Sequence, residues 1–162
     1  CMFMGTPTGM LIYSVADPVK PVFQSSLQHF YGCDPVVVEN DKAYITVRSG
    51  NNCGQNSNEL FVVDVSDVKK PKQLVSYSMT SPKGLGIDNG ILFLCDDGLK
   101  VYDATDPMIM MSKKLAHYQG MDGYDVIPFN NTLMMIASDG IYQYDYSNLN
   151  NIKQLSKLSI GQ

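Results

Sequence analysis

Apolar and polar residues alternate along this chain in short runs, and the runs repeat. Four segments share one template: 9–21 (GMLIYSVADPVKP), 59–71 (ELFVVDVSDVKKP), 98–110 (GLKVYDATDPMIM) and 140–152 (GIYQYDYSNLNNI). Each is an alternating strand that runs into a corner rich in Asp, Asn and Pro. The equivalent positions Ser14, Asp64, Asp103 and Asp145 lie 50, 39 and 42 residues apart. Asp17, Asp67, Asp106 and Asn148 stand at the corners. Their side chains are suited to accept hydrogen bonds from the backbone two residues on, which closes an Asx-type turn. Pro18 and Pro107 fix φ just after two of them.

Between these segments a second pattern recurs. Residues 35–47 (PVVVENDKAYITV), 84–95 (GLGIDNGILFLC) and 125–137 (DVIPFNNTLMMIA) each hold two apolar runs around a two-residue polar turn. Asn89-Gly90 is a strong type I′ hairpin signal, because both residues tolerate positive φ. Asn40-Asp41 and Asn130-Asn131 occupy the same register. A further run follows every corner, at 22–27, 73–79, 112–118 and 154–160. One unit is therefore four strands in about 40 residues.

A lone four-stranded sheet has two faces to cover, and stacking such sheets covers them. The fold class predicted is all-β, a β-propeller segment of about four blades, each a four-stranded antiparallel sheet. The approximate blades are 1–28, 33–79, 82–118 and 123–160, and the first is incomplete because it lacks an initial strand. Closed propellers use typically four to eight blades. The expectation is that remaining blades upstream complete the ring, with this chain as the C-terminal part of a longer propeller.

The recurring string of an apolar strand ending in Val-Asp-Val or Val-Tyr-Asp, then Ser/Thr-x-Asp-Pro, resembles the LVIVD-repeat family. It stands here as LFVVDVSDVKKP from Leu60, LKVYDATDP from Leu99 and IYQYDYSN from Ile141. Ser14 replaces Asp in the first copy, and Asn148-Leu149 replaces Asp-Pro in the last. The resemblance implies a propeller in a secreted or cell-surface bacterial protein, often lipid-anchored in its full-length form. It implies no catalytic activity and carries over no catalytic residues.

Composition fits that picture. The chain is 44% hydrophobic and 17% charged, with ten Tyr and no Trp. A net charge of -4 and scattered Lys and Arg argue against nucleic acid as a partner. No run approaches the about 20 apolar residues of a transmembrane helix.

Four cysteines invite pairing. Cys33 falls in the loop from a fourth strand to the next first strand. Cys53 falls in a long Gly/Asn loop between second and third strands, on the same rim. A Cys33–Cys53 disulfide is predicted, which would contribute roughly 3 kcal/mol and presuppose an extracytoplasmic, oxidising compartment. Cys95 ends an apolar strand and reads as a small buried hydrophobe. Cys1 reads as a strand residue rather than a lipoprotein anchor, because Met-Phe-Met follows it instead of a polar tether.

The same rim gathers the candidate ligand-binding residues: His29, Tyr31, Asp34, Arg48, Lys83, His117, Tyr124 and Asp125. Lys83 stands at the position equivalent to Asp34 and Tyr124, where the inner strand begins. Aromatics with charges around a mouth suit a protein, peptide or glycan ligand; the competing reading is that they plug loops. Asp64, Asp103 and Asp145 recur at corners and are assigned to structure. Met108, Met110 and Met111, with Met134 and Met135, read as core filling. The two His have no metal-ligand spacing, and no phosphate loop or nucleophile elbow appears, so no metal, cofactor or catalytic residue is predicted. The leading functional expectation is a non-enzymatic extracellular binding or scaffold propeller of unknown ligand. Two alternatives stand beside it: a hydrolase or lyase on carbohydrate or lactone with its site at the channel mouth, and a structural assembly domain.

Overall fold

The structure, a computed structural model, describes residues 1–28, 35–50 and 56–160. It divides into two compact units, residues 1–79 and 80–162. In the first unit, β1 (Met2–Thr6), β2 (Gly9–Ser14) and β3 (Val22–Gln28) form a three-stranded sheet. Beside it, β4 (Val36–Glu39), β5 (Lys42–Val47), β6 (Glu59–Asp64) and β7 (Lys72–Ser78) form a four-stranded one. The second unit holds β8 (Leu85–Asp88), β9 (Ile91–Cys95), β10 (Leu99–Asp103) and β11 (Lys114–Tyr118) in one sheet. Its other sheet is β12 (Gly123–Phe129), β13 (Thr132–Ala137), β14 (Gly140–Asp145) and β15 (Lys153–Ser159). Every pairing is antiparallel between consecutive strands.

The corner chemistry repeats in atomic detail. Asp64, Asp103 and Asp145 each accept a hydrogen bond at Oδ1 from the backbone N–H two residues on, at 2.8–3.0 Å. Ser14 Oγ does the same, more weakly, at 3.4 Å. Asp17, Asp67, Asp106 and Asn148 then accept from Val19, Lys69, Met108 and Asn150 at 3.0–3.1 Å. Two successive Asx turns therefore lead from each third strand towards its fourth. Hydrogen bonding to the charged form holds the Asp64, Asp103 and Asp145 carboxyls below the usual range.

The inner hairpins turn through positive φ at both central residues: Asn40 and Asp41, Asn89 and Gly90, Asn130 and Asn131. Each turn also accepts a backbone bond from the corner, at 2.8–2.9 Å from Val65, Ala104 and Tyr146. Hairpin and corner thus brace one another at the same end of each sheet.

A regularity that the sequence pattern did not announce is a register shift between third and fourth strands in all four sheets. It falls between Ile12 and Tyr13, Val62 and Val63, Val101 and Tyr102, and Gln143 and Tyr144. The bulge adds twist at one place in each repeat. The run from Ser112 also differs from its predicted form. Strand β11 begins only at Lys114, because Met110–Lys113 form a 3-10 turn that buries Met110. The methionines likewise divide: Met110 and Met135 are buried, while Met108 and Met134 are exposed.

Each unit is held by apolar side chains between its two sheets. In the first, Met10 and Ile12 meet Ala43, Ile45, Val47, Phe61 and Val63. In the second, Phe93, Cys95, Leu99 and Val101 meet Val126, Leu133, Met135, Tyr142 and Tyr144. Close approach of β12 to β8 requires Gly86, where a Cβ would come within 2.2 Å of Pro128 Cδ.

Candidate functional site

One end of the second unit opens into a cleft of about 440 Å³. Its walls come from the start of β8, the turn between β9 and β10, and the loop from β11 to β12. The inner strands meet there backbone to backbone: Gly84 donates to Tyr124 O at 2.9 Å, and Lys83 N–H donates to Cys95 O at 2.8 Å.

Two charged groups anchor the cleft. The Asp96 carboxylate is fully buried. It accepts from the backbone N–H groups of Thr80 (3.1 Å) and Ser81 (2.6 Å) and from Lys100 Nζ (2.7 Å). Three donors, one of them a paired ammonium, explain how a buried carboxylate is retained. Lys83 pairs with Asp122 and lies 4.7 Å above the Tyr124 ring. The turn is tied by His117, whose Nε2 lies 2.6 Å from Asp97 O and 3.7 Å from its carboxylate. Asp97 also accepts from Gln119 Nε2 at 3.3 Å. The Cys95 thiol on the cleft wall is buried, and desolvation, followed by the Asp125 charge, pushes its pKa up to about 12. That thiol is held protonated, the opposite of an activated nucleophile.

The candidate residues separate accordingly. Lys83 lines the cleft, Tyr124 stands at its rim half-exposed, and His117 fixes the facing turn from within β11. Asp125 is exposed at the start of β12 and accepts from the Val126 N–H at 2.9 Å. Arg48 follows β5 in the first unit and is half-buried. Beside it, Asn58 closes the stem of the long loop, accepting from Ser49 N–H at 2.8 Å and Ser49 Oγ at 3.2 Å. His29, Tyr31, Asp34, Cys33 and Cys53, and with them the predicted disulfide, lie outside the described residues.

Sequence reasoning missed Asp96, Asp97 and Lys100. The available signal was the Asp-Asp-Gly run directly after an apolar strand, which marks a turn. Among the described residues no cluster of three or more His, Cys, Asp or Glu is arranged to hold a metal. Among them, no helix is long and apolar enough to cross a membrane.

No protein-family model matches the chain, and no curated protein matches it by sequence. Among solved structures, a chain in the crystal structure of a nidogen/laminin complex is similar in fold, with a TM-score of 0.62 and 12% identity. The match covers 96% of this chain and 57% of that one, so this chain spans little more than half of its neighbour's length. The four antiparallel sheets, the first three-stranded, are blades of a β-propeller.

Proposed function

We propose that this chain is part of a non-enzymatic binding propeller that engages a protein or peptide partner at the cleft of its second unit. The observation that carries the reading is how the cleft's ionisable groups are held. Lys83 is paired with Asp122, Asp96 is surrounded by donors, and the Cys95 thiol is raised far above neutral pH. Groups fixed in this way present a preorganised pattern of charge and hydrogen bonding, which suits recognition. The exposed Tyr124 ring beside Lys83 adds the kind of aromatic surface that anchors interfaces. The fold neighbour comes from a protein–protein complex, which is compatible with this use of the fold.

The setting we propose is extracytoplasmic, in a protein of the LVIVD-repeat type, with Cys33 and Cys53 bridged. Thiol titration of the denatured, unreduced chain should then count two of its four cysteines as free. A count of four would remove the bridge. For binding, wild-type protein is screened on peptide and glycan arrays, and the hits are measured again with Lys83→Ala and Tyr124→Ala. Each substitution should weaken a peptide hit about tenfold or more. Hits confined to glycans, or peptide affinities untouched by both variants, would overturn the assignment.

A further inference from the structure

The cleft of the second unit holds more negative charge than positive. Its lining carries Asp96, Asp97 and Asp122 but a single lysine, Lys83. Asp96 is balanced by Lys100, and Lys83 by Asp122. Asp97 on the turn after β9 and Asp125 at the start of β12 remain, and among the described residues neither pairs with a lysine or arginine. The side chains of Asp97 and Asp122 are 52% and 57% exposed, so their carboxylates keep acceptor positions open. The Lys83 ammonium is already engaged by Asp122 and by the Tyr124 ring.

An uncharged group points the same way. Cys95 lines the cleft and is only 1% exposed, and among the described residues its Sγ has no hydrogen-bond partner. It lies against Gly123, also in the lining, where a Cβ would come within 2.9 Å of the sulfur. The absence of that Cβ leaves the thiol reachable from the cleft. The charges that act on it are those of Asp125, Lys83 and Asp122, so it belongs to the same cluster. A buried polar group without a partner calls for an incoming one, and a thiol sulfur accepts, though weakly. What the cleft leaves open therefore attracts positive charge and accepts hydrogen bonds.

We propose, resting on the reading of this cleft as a protein- or peptide-binding site, that the partner enters it with a basic side chain, arginine or lysine. The Asp97 and Asp122 carboxylates meet the cation, and the Cys95 thiol is a further acceptor in the wall. A guanidinium suits them better than an ammonium, because its donors form a rigid planar fork that matches carboxylates. Lys83 acts as a strut: paired with Asp122 and lying over Tyr124, it holds both in place for the partner.

NMR titration of the 162-residue chain tests it. The probes are blocked Gly-Ser peptides that differ only in one central residue: Arg, Lys, Gln or Glu. The Arg peptide should bind most tightly, then the Lys peptide, shifting the amide signals of Gly98, Gly120 and Gly123 in the cleft lining. Added salt should weaken both. Asp97→Asn preserves the turn, since Asn tolerates the positive φ of 53° found there. Combined with Asp122→Asn, it should weaken the Arg peptide about tenfold or more. An Arg peptide that shifts none of these signals overturns the proposal. So does a Glu peptide that binds equally well, or an affinity that the two substitutions leave unchanged. Array peptides that need Lys83 and Tyr124, yet are no richer in Arg and Lys than in Asp and Glu, also overturn it and leave the binding reading standing. If neither arrays nor probes bind, the binding reading falls, and the basic partner with it.

Discussion

The two sheets of the second unit share strand order, turn chemistry and a bulge, yet their second strands are buried differently. In β9 every residue after the first is buried, whereas in β13 burial alternates strictly. Both strands are apolar runs of similar length. The difference therefore lies in burial: β9 is buried along both of its faces, while β13 is buried only on the face towards β9 and β10.

The sharpest way to break the comparison is to truncate equivalent residues. Phe93→Ala removes a fully buried ring and should cost about 3–5 kcal/mol in urea unfolding. Met134→Ala, at the equivalent position, should cost well under about 1 kcal/mol in the same measurement. Equal losses would mean that the outer face of β13 is covered in solution.

A second, smaller effect concerns how closely the inner strands approach. Gly86→Ala places a methyl group against Pro128 and should destabilise by about 1–3 kcal/mol through overpacking. Ile127 stands at the equivalent position of β12, and Ile127→Ala should change stability by no more than about 0.5 kcal/mol. A Gly86→Ala protein as stable as wild type would show that the two strands separate at little cost.

The smallest expected effect separates corners from core. Asp64, Asp103 and Asp145 have folded pKa values below their unfolded ones, held there first by hydrogen bonds from Ser66, Thr105 and Ser147. Stability from these groups is present above the unfolded Asp value of about 3.9 and is lost as pH falls towards the lower folded values. Unfolding followed across this acid range should therefore show a decline that is shallower in Asp103→Asn. Identical slopes for both proteins would assign the acid sensitivity elsewhere, and Asp139, lowered by Lys157 and Tyr142, is the next group to replace.

The fold was legible because its signals are local. Asn89-Gly90 states a hairpin, Asp106-Pro107 states a corner, and their repetition at about 40 residues states a stack of sheets. The recurring Asp residues were correctly assigned to turns because an Asx turn needs only its own neighbours. The binding region was legible only in outline. Lys83 and Tyr124 could be placed at one rim from strand register, and the structure brings them together with Asp122. Asp96 and Lys100 escaped notice because their meaning depends on Thr80 and Ser81, sixteen and fifteen residues away from Asp96, folding back to donate.

By itself, the sequence determined the strands, the turns between them and the order in which they pair, since each rests on backbone preferences and on contacts between chain neighbours. Only the tertiary structure decided which face of each sheet is buried, which aspartate becomes an anchor and where an apolar surface is left open. Those outcomes depend on what a neighbouring sheet brings. The same apolar run is a finished core strand in β9 and an unfinished surface in β13.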